Sequence, residues 1–135
     1  MGDRLLRIGF AEPMVTEELS RLERVGLLDD DQFAQAFARE MTVYRGQGRW
    51  SVKAGLARKG IDRDTIDAAT ADLTPELEEA RADALAAGRA RRLARVEPRA
   101  AFQRLSGFLM RRGFDGDIAR RAASRALAVQ LEEAE

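Results

Sequence analysis

One short motif returns three times along the chain at nearly constant spacing, and that repetition limits the fold more than any other feature. A glycine followed by an apolar residue occurs at Gly9-Phe10, Gly60-Ile61 and Gly113-Phe114, 51 and then 53 residues apart. A leucine stands four residues before each glycine (Leu5, Leu56, Leu109), and an arginine two before (Arg7, Arg58, Arg111). A branched apolar residue follows at Val15, Ile66 and Ile118. Self-similarity at such a period marks a chain that uses one supersecondary unit several times, each copy burying its apolar face on a neighbour.

The unit can be read physically. A glycine after a run ending in Arg or Lys is a helix stop, because only glycine takes the left-handed conformation cheaply. The apolar residue after it can pack back on the turn that holds the leucine. A new helix start follows: Asp62 before Arg63-Asp64-Thr65, Asp115 before Gly116-Asp117, and in the first copy Pro13 as a first helical residue. Two copies carry a longer leading helix. Asp29-Asp30-Asp31-Gln32 supplies a cap and an acidic first turn, after which Phe33, Phe37, Met41 and Tyr44 share a face until Gly46 and Gly48. Thr74-Pro75-Glu76 opens the other, expected to run to about Arg95 with Leu77, Ala80, Ala84 and Leu85 inward, until Glu97-Pro98 interrupts it.

Composition agrees with helix. The chain is 45% hydrophobic and 34% charged, with only 3 prolines, and Ala, Leu, Arg and Glu are its commonest residues. The pattern predicts helices near 3–8, 13–25, 30–45, 49–59, 63–73, 75–95, 98–112 and 116–133. The expected fold is all-α: tandem three-helix repeats in an elongated, curved stack. Residues 1–28 read as a shortened first repeat, 29–73 as the second and 74–135 as the third.

The same residues exclude much chemistry. There is no cysteine and no histidine, which removes thiolate metal sites, disulfides and the commonest general base. Asp29-Asp30-Asp31 lacks ligand spacing and reads as a helix cap; Gly46-Gln47-Gly48 lacks the lysine and strand of a phosphate loop and reads as a turn. An enzyme, a metal and a cofactor are therefore not expected. Met1 to Phe10 carries Asp3, Arg4 and Arg7 and no apolar run, so a signal peptide is not expected, nor a membrane span. A cytoplasmic monomer is the expectation.

Charge is zero overall by cancellation of blocks: −4 over 1–35, +5 over 36–63, −6 over 64–80, +8 over 81–125 and −3 over 126–135. A nucleic-acid binder that works alone usually shows a net basic excess, whereas a two-signed surface suits a protein partner at least as well. Arginine outnumbers lysine 21 to 2, and its planar fork suits carboxylate or phosphate. The candidate partner-binding residues are Arg45, Arg49, Lys53, Arg58, Lys59, Arg104, Arg111 and Arg112, with Arg89, Arg91, Arg92 and Arg95 just before the last group. A solvated face is the competing reading. Phe33, Phe37, Phe102 and Phe108 fit a core better than base-stacking platforms, and Trp50 is the aromatic most expected at the surface. Gly9, Gly26, Asp29, Asp30, Phe33, Leu56, Gly60, Ile61, Gly113 and Phe114 are expected to be structural.

Leu22-Glu23-Arg24-Val25-Gly26-Leu27-Leu28-Asp29-Asp30-Asp31-Gln32-Phe33-Ala34 resembles the signature of RecX proteins, with Leu27 where a tyrosine is usual. Gly46 to Gly48 with Leu56-Ala57-Arg58-Lys59-Gly60-Ile61 is similar to the family's glycine pair and corner, and Arg111-Arg112-Gly113-Phe114 to its last repeat. The resemblance spans roughly residues 5–130. It implies a regulator of the RecA recombinase that binds the RecA–DNA filament and inhibits strand exchange with the linked coprotease and ATPase activities, in DNA repair and the SOS response. It also implies weaker binding of single-stranded DNA. A stand-alone helical DNA-binding module is the alternative.

Overall fold

The computed structural model describes residues 29–134, and every regular element among them is helical. Gly9, Gly26 and the first repeat expected at 1–28 lie outside the described residues. Helix α1 spans Asp30–Arg39 and runs into a π-helical turn at Glu40–Tyr44; α2 spans Arg49–Arg58 and α3 Arg63–Ala69. Helix α4 spans Pro75–Ala90 and ends in a 3₁₀ turn at Arg91–Leu93; α5 spans Pro98–Arg111 and α6 Gly116–Ala134. These elements form two units. One holds α1, its π turn, the part of α2 from Val52 and α3, to Asp72; the other holds Gln47–Ser51 and the chain from Leu73 onward.

In the first unit Asp29 caps α1, its carboxylate accepting from the Asp31 N–H at 2.8 Å, and Asp30 and Asp31 put negative charge at the helix's positive end. Phe33, Ala34, Phe37 and Ala38 are buried. The ring of Phe37 lies against α2 where the only possible neighbour is a glycine: a Cβ on Gly55 would come within 2.6 Å of Phe37 Cζ. Met41 and Tyr44 do not continue this face as expected. Met41 is half-buried and Tyr44 is 58% exposed. The cause is the π turn, in which the Arg45 N–H reaches back five residues to the Glu40 carbonyl at 3.2 Å and rotates the register. Glu40 takes the inward place, with its carboxylate accepting from Arg45 Nε at 3.3 Å.

Helix α2 stops at the corner its sequence announces. Gly60 has φ +81°, the Ile61 N–H donates to the Leu56 carbonyl at 3.2 Å and the Gly60 N–H to the Ala57 carbonyl at 3.0 Å, the paired bonds of a Schellman stop. Asp62 then caps α3, accepting from the Thr65 N–H at 2.8 Å. Helix α3 ends at Ala69 rather than at 73. The buried Thr70 hydroxyl donates back to the Ile66 carbonyl at 2.8 Å, the local competition by which threonine weakens a helix.

In the second unit Thr74 caps α4, its hydroxyl accepting from the Leu77 N–H at 3.2 Å, and Pro75 is the first helical residue. The inward face is Glu78, Ala82, Ala86 and Ala90. Leu77, Ala80 and Ala84, expected inward, are exposed, and Leu85 is half-buried. The α-helix ends at Ala90, short of the expected Arg95, and Glu97 caps α5 by accepting from the Arg99 and Ala100 N–H groups at 3.1 Å each. Ala82, Ala86 and Ala90 meet Ala119, Ala122 and Ala123 of α6 in one core with Leu105, Leu109, Phe114 and Ile118. Small side chains on both helices let the backbones approach, while the two fully buried leucines each contribute about 2 kcal/mol of burial.

The corner at Gly113 repeats the bonds seen at Gly60. Its φ is +96°, the Phe114 N–H donates to the Leu109 carbonyl at 3.2 Å, and the Gly113 N–H to the Met110 carbonyl at 2.9 Å. Here the corner also receives a strap. The Gly48 N–H donates to the Arg112 carbonyl at 2.7 Å, and the Trp50 N–H to the Gly113 carbonyl at 3.0 Å. Ser51 packs on Gly113 so tightly that a Cβ there would collide with its hydroxyl, and a Cβ on Gly48 would collide with the Gly113 carbonyl. The strap is also held from α4. Buried Glu78 accepts from the Arg49 N–H at 2.6 Å and pairs with Arg81, whose guanidinium donates to the Gln47 carbonyl.

Candidate partner-binding surface

The arginines of the second unit divide into paired and unpaired sets. On the α4–α6 side, Glu79 accepts from Arg121 Nε at 2.8 Å and also pairs with Arg125, which reaches Asp83 Oδ1 at 2.8 Å. The hydrogen bonds from Arg121 first, then Arg125, hold the Glu79 carboxyl below its ordinary value of 4.5. The carboxylates of that face are thereby committed to the fold, and its positive charge is quenched locally.

The α4–α5 side has no such compensation. Arg89, Arg92 and Leu93 from the end of α4 and its 3₁₀ turn, with Ala100, Gln103, Arg104, Phe108 and Arg111 of α5, line a groove of ≈ 690 Å³. The four arginines are exposed, and none pairs with a carboxylate among the described residues. Their convergence follows from helical spacing: Ala100, Arg104, Phe108 and Arg111 recur on one face of α5. The half-buried Phe108 ring carries two cations, the Arg89 guanidinium at 4.5 Å and that of Arg112 at 5.2 Å from its centroid.

The eight candidate residues occupy different circumstances. Arg104 and Arg111 stand in the groove. Arg112 lies over Phe108, and its carbonyl holds the strap. Arg49 gives its N–H to Glu78 and reaches the Leu73 carbonyl from its guanidinium at 3.4 Å. In the first unit Arg45 pairs with Glu40, Lys53 lies 3.6 Å from Asp67, and Lys59 sits 5.6 Å from the Phe33 centroid. Arg58 is exposed. Arg89, in the last turn of α4, and Arg92, in the 3₁₀ turn after it, were noted in the sequence only as neighbours of the basic cluster, and they complete the groove.

Phe33 and Phe37 are core, Phe102 and Phe108 half-buried, and Trp50 is 69% exposed, as their sequence settings suggest. Among the described residues no cluster of acidic groups has the arrangement of a metal site, and no helix is long and apolar enough to cross a membrane.

Two successive sets of three helices, each with a capped leading helix and a Schellman corner, define a tandem three-helix-domain protein. Family models give that class its identity: "RecX, second three-helix domain" matches residues 29–69 and "RecX, third three-helix domain" residues 76–123. "Regulatory protein RecX" of a Mycobacterium species (strain KMS) is 35% identical over 98% of this chain and 74% of its own length. The proteins of the same name from Mycolicibacterium smegmatis and Streptomyces lividans are each 33% identical, covering 96% and 100% of this chain and 71% and 72% of theirs. No solved structure gives a significant match. The chain belongs to the RecX family.

Proposed function

We propose that this chain regulates the RecA recombinase, binding the RecA–DNA filament and limiting strand exchange and coprotease activity, without chemistry of its own. The observation that carries the reading is the pair of RecX domain matches on successive three-helix sets, together with relatives named as regulatory proteins. Repeated units suit an extended lattice, because several modest contacts made together give avidity that none has alone. The unpaired arginines of the second unit and the exposed Arg58 of the first supply cations for such contacts. In this reading the protein acts as a cytoplasmic monomer, and residues 29–73 and 74–135 are its second and third repeats.

The test is co-sedimentation with preformed RecA filaments, followed by strand exchange at substoichiometric ratios of the protein. Binding with inhibition is the expected result; neither binding nor inhibition would overturn it. Weak, strongly salt-dependent binding to bare single-stranded DNA is expected beside it. Tight DNA binding without recombinase would favour a stand-alone DNA module instead.

A further inference from the structure

We propose that the groove between α4 and α5 is a docking site for an extended acidic peptide segment of a protein partner, carboxylates alternating with apolar side chains. The inference rests on the regulatory reading above and deepens it: the segment would belong to the recombinase.

Charge complementarity selects the occupant's sign. Arg89, Arg92, Arg104 and Arg111 all face one groove and none has a carboxylate among the described residues, whereas on the other side of α4 Arg121 pairs with Glu79 and Arg125 with both Glu79 and Asp83. Acidic side chains were thus placed where the fold uses them and left out of the groove. Guanidinium forks accept either carboxylate or phosphate, so charge alone does not choose between peptide and nucleic acid.

The groove's apolar residues make that choice. Single-stranded nucleic acid is gripped by a basic track with free aromatic faces on which bases stack. Phe108 is the aromatic residue of this groove, and two guanidinium groups already lie over its ring, at 4.5 and 5.2 Å. Leu93 and Ala100 offer aliphatic surface beside the cations. Aliphatic ground between positive charges fits a chain that presents carboxylates on one side and apolar side chains on the other. From Ala100 to Arg111 the α5 face runs about 16 Å, the length of about five residues of extended chain.

The test is fluorescence anisotropy on the full chain with two labelled probes, a short peptide of alternating glutamate and leucine and an oligothymidine. The peptide is expected to bind, and Arg104→Glu with Arg111→Glu to weaken it about tenfold or more. Arg91→Glu with Arg95→Glu, the same charge change outside the groove, should alter it by less than about threefold, and oligothymidine binding should fall less than peptide binding. Circular dichroism on each variant checks that helix content is kept. Absent peptide binding, or binding indifferent to the double reversal, would overturn the proposal. So would an equal or larger loss of oligothymidine binding, which would make this a phosphate groove, or self-association that the double reversal abolishes. Filament co-sedimentation separates the two claims. If the wild-type chain still sediments with filaments while the peptide fails, the docking site falls and the regulatory reading stands. Peptide binding without co-sedimentation would sink the regulatory reading and the assignment of the segment to the recombinase.

Discussion

The corners at Gly60 and Gly113 share sequence, backbone and hydrogen bonds, yet they are held in different ways. At both, the glycine takes a positive φ and the apolar residue after it donates to the leucine carbonyl at 3.2 Å. At both, the cation just before the glycine lies over a phenylalanine, Lys59 over Phe33 and Arg112 over Phe108. Beyond that they diverge. Nothing lies within 4 Å of where a Cβ on Gly60 would be, while Gly113 is packed against Ser51 and bonded to the strap. A repeated motif thus specifies its own turn completely and its surroundings not at all.

Substitution should expose the difference. Gly113→Ala adds left-handed strain of about 1–2 kcal/mol to an overlap with Ser51 worth about 1–3 kcal/mol, so a loss of about 3 kcal/mol is expected in urea unfolding. Adding Ser51→Gly should recover part of it. Glu78→Ala comes next, at about 2–3 kcal/mol, because it leaves the Arg49 N–H without its acceptor and takes the carboxylate from the half-buried Arg81. Gly60→Ala should cost only the backbone strain, about 1–2 kcal/mol. Equal losses at the two glycines would break the comparison.

The smallest effect concerns the surface network. Glu79→Gln should cost about 0.5–1 kcal/mol near neutral pH. Because the Glu79 carboxyl is held below its ordinary 4.5, its contribution is complete above that value and is lost as pH falls through the lower folded value. The gap in melting temperature between wild type and Glu79→Gln should therefore close on acidification. A gap independent of pH would mean that the ion pairs with Arg121 and Arg125 contribute nothing.

What could be read from the sequence was what is decided within a turn or two of chain. Asp29, Asp62 and Thr74 act as caps, and Gly60 and Gly113 as stops, because their partners lie two to five residues away. The phase of α4 could not be read that way. A glutamate in an alanine-rich helix looks like a surface residue, and Glu78 turns inward only because its acceptor oxygens meet the Arg49 N–H, 29 residues back in the chain. The π turn at Glu40–Tyr44 is similar: it leaves no mark in the spacing of Phe33, Phe37, Met41 and Tyr44, yet it moves the last of them to the surface. The groove lay between these cases. Arg104 and Arg111 were legible as basic positions of the last repeat, but that Arg89 and Arg92 line the same groove depends on the packing of α4 beside α5, which no local pattern announces.

The strap has a consequence for anyone who cuts the chain. Residues 47–51 are remote in sequence from the helices they close, so a fragment starting at residue 73 would carry every helix of the second unit and still lack its fastening. The carbonyls of Arg112 and Gly113 would lose their donors from the strap, and the carboxylate of Glu78 would lose the Arg49 N–H and keep Arg81. Such a fragment should melt well below the intact protein, and restoring the five missing residues as a free peptide should raise its melting point. Where a matched domain begins on paper is therefore a poor guide to where the scissors belong.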